Sequence, residues 1–215
     1  GAGDYVFNSA ISITSADGPL STSIRNLNWV GQGGIASDTA TRLYFDISTP
    51  VDCLVLSSLV GGSISKMCIR SQTQCRTLTL LDAGVVPNLS GSNVVFTDVQ
   101  WQSNFDPTEC FVWAYNTKQI KFDTCWIPVG ATNDVTGLRI GDDKANQASS
   151  YQEGAIDNVA IENTIIFSRI DVRNGQEWSL ENCTFGSAEY AIITSTGDQR
   201  MNSGRVINCN FVFDT

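Results

Sequence analysis

The sequence predicts an all-β fold, a parallel solenoid of about seven coils, and three observations carry that prediction. No long stretch sets apolar residues at i, i+3, i+4 and i+7, and Gly, Asn, Ser and Thr interrupt the chain throughout. Short alternating runs rich in Val, Ile, Phe and Thr recur instead, as in RLYFDIS, RTLTLLD and YAIITST. One local motif then returns along the chain, which is the mark of stacked repeats.

The motif is clearest in WSLENCTFGS, where Leu180 precedes Asn182 by two and Cys183 and Phe185 follow it. RVINCNF repeats it around Asn208, and VAIENTIIF repeats it around Asn163. Related copies centre on Asp98, Asn26 and Thr124, with a looser one on Lys66. Four of the seven anchors are Asn, and their separations of 40, 32, 26, 39, 19 and 26 residues are irregular. A hairpin sandwich gives turn signals every 8–12 residues and no reason for a longer period. A coil of three short strands needs about 20 residues, and surplus residues leave as loops.

Alternation assigns directions within each copy. Leu180 points inward and Glu181 outward, the chain bends at Asn182, and Cys183 points inward again. Asn suits the bend because it tolerates the left-handed conformation and its amide can bond the next coil. Stacking predicts internal files of Phe96, Phe122, Ile161, Leu180 and Val206, and of Val99, Cys125, Thr164, Cys183 and Cys209. Residues 1–20 read as an entry segment or cap. Residues 21–215 read as the solenoid, expected to continue past residue 215 because no polar cap follows Phe211 and Phe213.

The repeated apolar-x-Asn-x-x-aromatic corners resemble the right-handed parallel β-helix of the pectate-lyase superfamily, and within it the phage tailspike proteins. The resemblance spans about residues 20–215 and rests on the repeat pattern. It implies the right-handed winding, a homotrimer, and a virion location acting extracellularly at the host surface. It also implies recognition, with or without hydrolysis, of a host cell-surface polysaccharide. The chain departs from the polygalacturonase-type members, which use a Gly-His-Gly motif, since it has no histidine. Asp142 and Asp143 in RIGDDKA are similar to those members' paired aspartates, although Gly-Asp-Asp is also an ordinary loop.

Composition narrows the chemistry. Hydrophobic residues make up 42% and charged residues 16%, enough apolar content for one sizeable core. The net charge of −9 argues against a nucleic-acid partner, and no apolar run is long enough for membrane insertion. Without histidine, Ser-His-Asp and Cys-His catalysis are excluded, and the seven cysteines show no zinc spacing. No metal and no cofactor are expected, and the cysteines read as small buried hydrophobes. Any hydrolysis must then run on carboxylates, as in a glycoside hydrolase or depolymerase.

The outward positions before each corner read Arg25, Ser65, Thr97, Asp123, Glu162, Glu181 and Ile207. Asp123, Glu162 and Glu181 are therefore the candidate catalytic residues, with Asp142 and Asp143 next. Adjacent coils stand ~4.8 Å apart, so neighbouring carboxylates approach the ~5–5.5 Å of a retaining pair. Carboxylates two coils apart approach the ~9.5 Å limit of an inverting pair. The same residues also fit a plain solvated face. Outward positions after the corner read Asn28, Cys68, Gln100, Trp126, Ile165, Thr184 and Asn210, of which Asn28, Gln100 and Trp126 are the candidate glycan-binding set. Trp126 and Ile165 equally suit a subunit contact. Asp4, Asp17 and Asp52 receive no role. Two further function classes stay open: a purely structural virion spike or neck component, and a secreted pectate-lyase-like polysaccharide-degrading enzyme.

Overall fold

The computed structural model describes residues 2–13, 24–33, 40–57, 59–82, 92–115, 118–128, 135–141, 157–173, 177–186, 192–194 and 203–212. Among them every regular element is a strand and none is a helix. In chain order these are β1 (Gly3–Phe7), β2 (Ile11–Ile13), β3 (Ile24–Val30), β4 (Thr41–Phe45), β5 (Asp52–Ser57), β6 (Leu59–Ser71) and β7 (Thr77–Asp82). There follow β8 (Ser92–Ser103), β9 (Cys110–Tyr115), β10 (Lys118–Asp123), β11 (Trp126–Ile127), β12 (Thr136–Ile140) and β13 (Asp157–Glu162). The last are β14 (Ile165–Ile166), β15 (Arg169–Val172), β16 (Glu177–Glu181), β17 (Thr184–Gly186), β18 (Ile192–Thr194), β19 (Ser203–Ile207) and β20 (Asn210–Val212).

Every strand pairing among the described residues is parallel. The strands form a thirteen-stranded sheet and a seven-stranded sheet, the latter in the order β18-β15-β12-β9-β7-β5-β2. From β4 onward the chain visits the two sheets by turns, and each return pairs with the strand left one visit earlier. Parallel neighbours need such crossovers, because a tight hairpin can join only antiparallel strands. The arrangement is consistent with a parallel solenoid.

The larger sheet is bent along the predicted corners. All seven anchors have positive φ: Asn26 54°, Lys66 56°, Asp98 57°, Thr124 55°, Asn163 50°, Asn182 54° and Asn208 50°. One left-handed residue turns the strand without breaking the ladder, which is why β6 and β8 run unbroken through Lys66 and Asp98. Pairing on both sides of the bend stacks Lys66, Asp98, Thr124, Asn163, Asn182 and Asn208 in a single file. Within it the Asn208 amide donates to Asn182 Oδ1 at 2.6 Å, the Asn182 amide to Asn163 Oδ1 at 3.5 Å, and the Asn163 amide to Asp123 Oδ1 at 2.9 Å.

Asn26 corrects the expected stacking. Its strand pairs with Leu27 opposite Gly62 and Val30 opposite Ser65, so Asn26 lies over Gly61 and five positions ahead of the Lys66 file. A second left-handed file results, made of Asn26, Gly61 (φ 72°), Asn93 (66°), Gln119 (55°) and Asn158 (61°). A Cβ on Gly61 would come within 2.8 Å of Asn26 Oδ1, so the small residue admits the close neighbour. Both files impose the same backbone demand and both select Asn, so the local sequence does not say to which one a given Asn belongs.

The predicted inward files are the core as far as Leu180 and Cys183. Val206, expected inside, is 45% exposed and Cys209 is only partly buried, since no described strand pairs with β19 or β20 on their far side. Phe96, Phe122, Ile161 and Leu180 are buried in register, and the Phe96 and Phe122 rings stack at 5.2 Å. Each such side chain contributes about 1.5–3 kcal/mol through burial. Trp101 ties the two sheets together, donating Nε1–H to Thr79 Oγ1 of β7 at 2.9 Å, so its buried polar atom is satisfied. After the corner, the file Cys125, Thr164, Cys183 and Cys209 has a second role beyond packing. Each side chain donates back to the carbonyl two residues earlier, at 3.4 Å for the three thiols and 2.8 Å for Thr164.

The corner geometry sets an expected result. Asn182→Val places a β-branched side chain at φ 54° and breaks the amide ladder on both sides. The conformational cost alone is about 1–2 kcal/mol, whereas Asn182→Gly adopts the same φ freely and loses the ladder only. Urea unfolding should rank wild type above Gly and Gly above Val.

Candidate functional site

The predicted carboxylate file exists as a register. Ser65 faces Thr97, Thr97 faces Asp123, Asp123 faces Glu162, Glu162 faces Glu181, and Glu181 faces Ile207. Arg25 falls elsewhere, opposite Val60, and Val30 occupies the place opposite Ser65. Asp123 and Glu162 are partly exposed and Glu181 is exposed, so all three reach solvent on one face.

A cation that sequence reasoning missed stands among them. Lys121 Nζ donates to Glu162 Oε2 at 2.8 Å and lies 3.9 Å from Asp123 Oδ2. Its hydrogen bond to Glu162 is the main cause raising the lysine above its ordinary value, with the charges of Asp123 and Glu181 adding to it. Asp123 also accepts from Thr124 Oγ1 at 3.1 Å and from the Asn163 amide. Asp123 and Glu162 are therefore engaged groups, and among the described residues Glu181 takes part in no ion pair. The signal was available: Lys121 lies two residues before Asp123, hence on the same face of β10.

The expected glycan-binding set does not come together. Asn28 stands opposite Ser63 in the half of the sheet before the bend, accepting from the Ser63 hydroxyl at 2.9 Å. Arg42 takes the position beside Cys68 that Asn28 was expected to fill. Gln100 and Trp126 are adjacent as predicted, but Gln100 is only 3% exposed. Trp126 is half-buried, its ring edge-on to Phe167 at 6.4 Å and its Nε1 buried without a hydrogen-bond partner. Ile165, its neighbour in register, is 41% exposed. Asp142 and Asp143 lie outside the described residues, as do Asp17 and Phe213.

A second polar cluster lies in and beside the seven-stranded sheet. Arg76 forms a two-pronged pair with Asp52, and Arg139 Nη1 donates to Glu109 Oε2 at 2.6 Å. Arg139 Nε lies 3.5 Å from Asp171 Oδ2, to which Arg173 Nε donates at 2.8 Å. The Arg139 guanidinium also lies over the Trp113 ring at 5.0 Å. Three cations meet three carboxylates, with Asp52, Arg139 and Asp171 buried and Arg76 and Glu109 reaching solvent, which marks the cluster as a staple between coils. No group of three or more His, Cys, Asp or Glu able to hold a metal occurs among the described residues. No protein-family model, no curated protein and no solved structure matches the chain.

Proposed function

We propose that the chain is a right-handed parallel β-helix of about seven coils, part of a tailspike-like virion protein that engages a host cell-surface polysaccharide. The observation that carries the reading is the continuous file Asp123–Glu162–Glu181 on one rigid outer face. Stacked strands hold those carboxylates at fixed spacing, which suits repeated sugar units better than a mobile loop would. Right-handed winding is supported by the strong preference of parallel crossovers for that hand. In this reading Glu181 is the general acid, and Asp123 or Glu162, paired with Lys121, serves as base or nucleophile.

A homotrimer fits the strip beyond the corner, with Ile165 and the rim of Trp126 as the apolar contact between subunits. Sedimentation should then give three times the chain mass, and a stable monomer at micromolar concentration would remove the trimer. The purely structural spike has one observation in its favour, the Lys121–Glu162 ion pair, which occupies a carboxylate the chemistry would need. Calorimetric titration with purified host surface polysaccharides separates the two. Saturable binding that Glu181→Lys abolishes is expected, and no binding to any host glycan leaves the inert spike.

A further inference from the structure

We propose that Cys183 and Cys209 form a thiol–disulfide exchange site, where a small-molecule disulfide is reduced and β19–β20 become covalently pinned to the preceding coil. Glu181 opposite Ile207 and Thr184 opposite Asn210 bracket the two cysteines, which makes them direct neighbours on adjacent parallel strands. The Asn210 N–H donates to the Cys183 carbonyl at 2.9 Å, fixing that register. Neighbouring strands place Cα atoms ~4.8 Å apart, inside the ~4.4–6.8 Å that a disulfide spans. Each thiol points at the carbonyl two residues before it, so both side chains lean the same way.

Access distinguishes this pair from the other cysteines. Cys53, Cys68, Cys75, Cys110, Cys125 and Cys183 are all buried, and Cys209 alone is partly open to solvent. Cys125 has Thr164 as its next neighbour in the file, so no thiol stands beside it there. β19 pairs with β16 and β20 with β17, so the backbone ladder holds the Cys209 coil directly against the Cys183 coil. Burial pushes the Cys183 thiol up to about 11, with the adjacent Cys209 adding to the effect, so a reagent from solvent meets Cys209 first.

The chemistry balances as two exchanges. The Cys209 thiolate attacks one sulfur of a disulfide R–S–S–R, forming a mixed disulfide and releasing one R–S⁻. Cys183 then gives its proton to water, its thiolate attacks the Cys209 sulfur, and the second R–S⁻ leaves. Two protein thiols are oxidised and one disulfide is reduced. The product closes a loop between Cys183 and Cys209, 26 positions apart, and so restrains β19–β20 against β16–β17. The inference is independent of the glycan reading.

The test treats the reduced 215-residue chain, folded, with an excess of an aromatic disulfide whose released thiolate is coloured. Wild type should release two thiolates per chain, keep no adduct mass, and yield a cross-linked Cys183–Cys209 tryptic peptide. Cys183→Ala should release one and retain the adduct, and Cys209→Ala should release none. Should Ala at 183 disturb folding, Cys183→Thr places there the residue that Thr164 already supplies one coil away. A single release with a lasting adduct on wild type, or a cross-link joining Cys53 to Cys75 instead, overturns the site.

Discussion

Asp171→Ala is expected to destabilise the chain by about 3–5 kcal/mol, because it removes the buried carboxylate that Arg139 and Arg173 share and leaves the Arg139 guanidinium with Glu109 alone. Asp171 is 6% exposed and is shared by Arg173 at 2.8 Å and Arg139 at 3.5 Å. Arg139, itself 6% exposed, would keep only Glu109, and the local excess of positive charge would have little water to relieve it. Arg139→Met should cost less. It removes a charge along with its desolvation and keeps apolar contact over Trp113, while Asp171 retains Arg173. Arg139→Lys keeps the charge but loses the planar stack on Trp113. Denaturant midpoints for the three variants decide the matter. A loss below about 1 kcal/mol for Asp171→Ala would show the cluster to be hydrated surface.

The second large effect concerns the carboxylate face. If the file cleaves glycan, Glu181→Gln should lower the rate by about 10²–10⁴-fold, since the amide keeps the shape and cannot deliver a proton. Glu181 is the group chosen because Lys121 already engages Glu162 and Thr124 and Asn163 engage Asp123. Binding should persist in the Gln variant, because contacts to sugar hydroxyls do not need that proton. Unchanged release of reducing ends would move the chemistry away from the file, with Asp142 and Asp143 as the next pair to replace.

Much of this arrangement was legible in the sequence. A left-handed corner accepts few residue types, so it leaves a mark that survives without any homologue, and all seven anchors have positive φ. Period-two alternation then placed Phe96, Phe122, Ile161 and Leu180 inside and Asp123, Glu162 and Glu181 outside. Asn26 misled because two files of left-handed residues share one signature, and only the pairing of β3 with β6 tells them apart. Asn28 moved with it. The burial of Gln100 and the half-burial of Trp126 were not legible, because alternation reports which face a residue is on and not what covers that face. The ion network from Asp52 to Arg173 escaped for a related reason. Its members come from separate coils, and each alone looks like an ordinary exposed charge. The reading of the cysteines as buried hydrophobes holds for six of the seven, including Cys68 at a position read as outward, while Cys209 is partly exposed. The hydrogen bonds from Cys125, Cys183 and Cys209 to the corner carbonyls were not legible, because alternation gives a side chain's face and not its rotamer.

Everything functional here depends on the corners stacking in parallel register, so that is the property to measure. Nuclear Overhauser contacts between labelled backbone and Asn side-chain amides report it directly. A ladder of side-chain amide contacts from Asn163 to Asn182 to Asn208 is expected, with the Asn210 amide close to Cys183. Close cross-strand Hα–Hα contacts between the Asn182 and Asn208 strands would mean antiparallel pairing, and would contradict both the fold and the carboxylate file built on it.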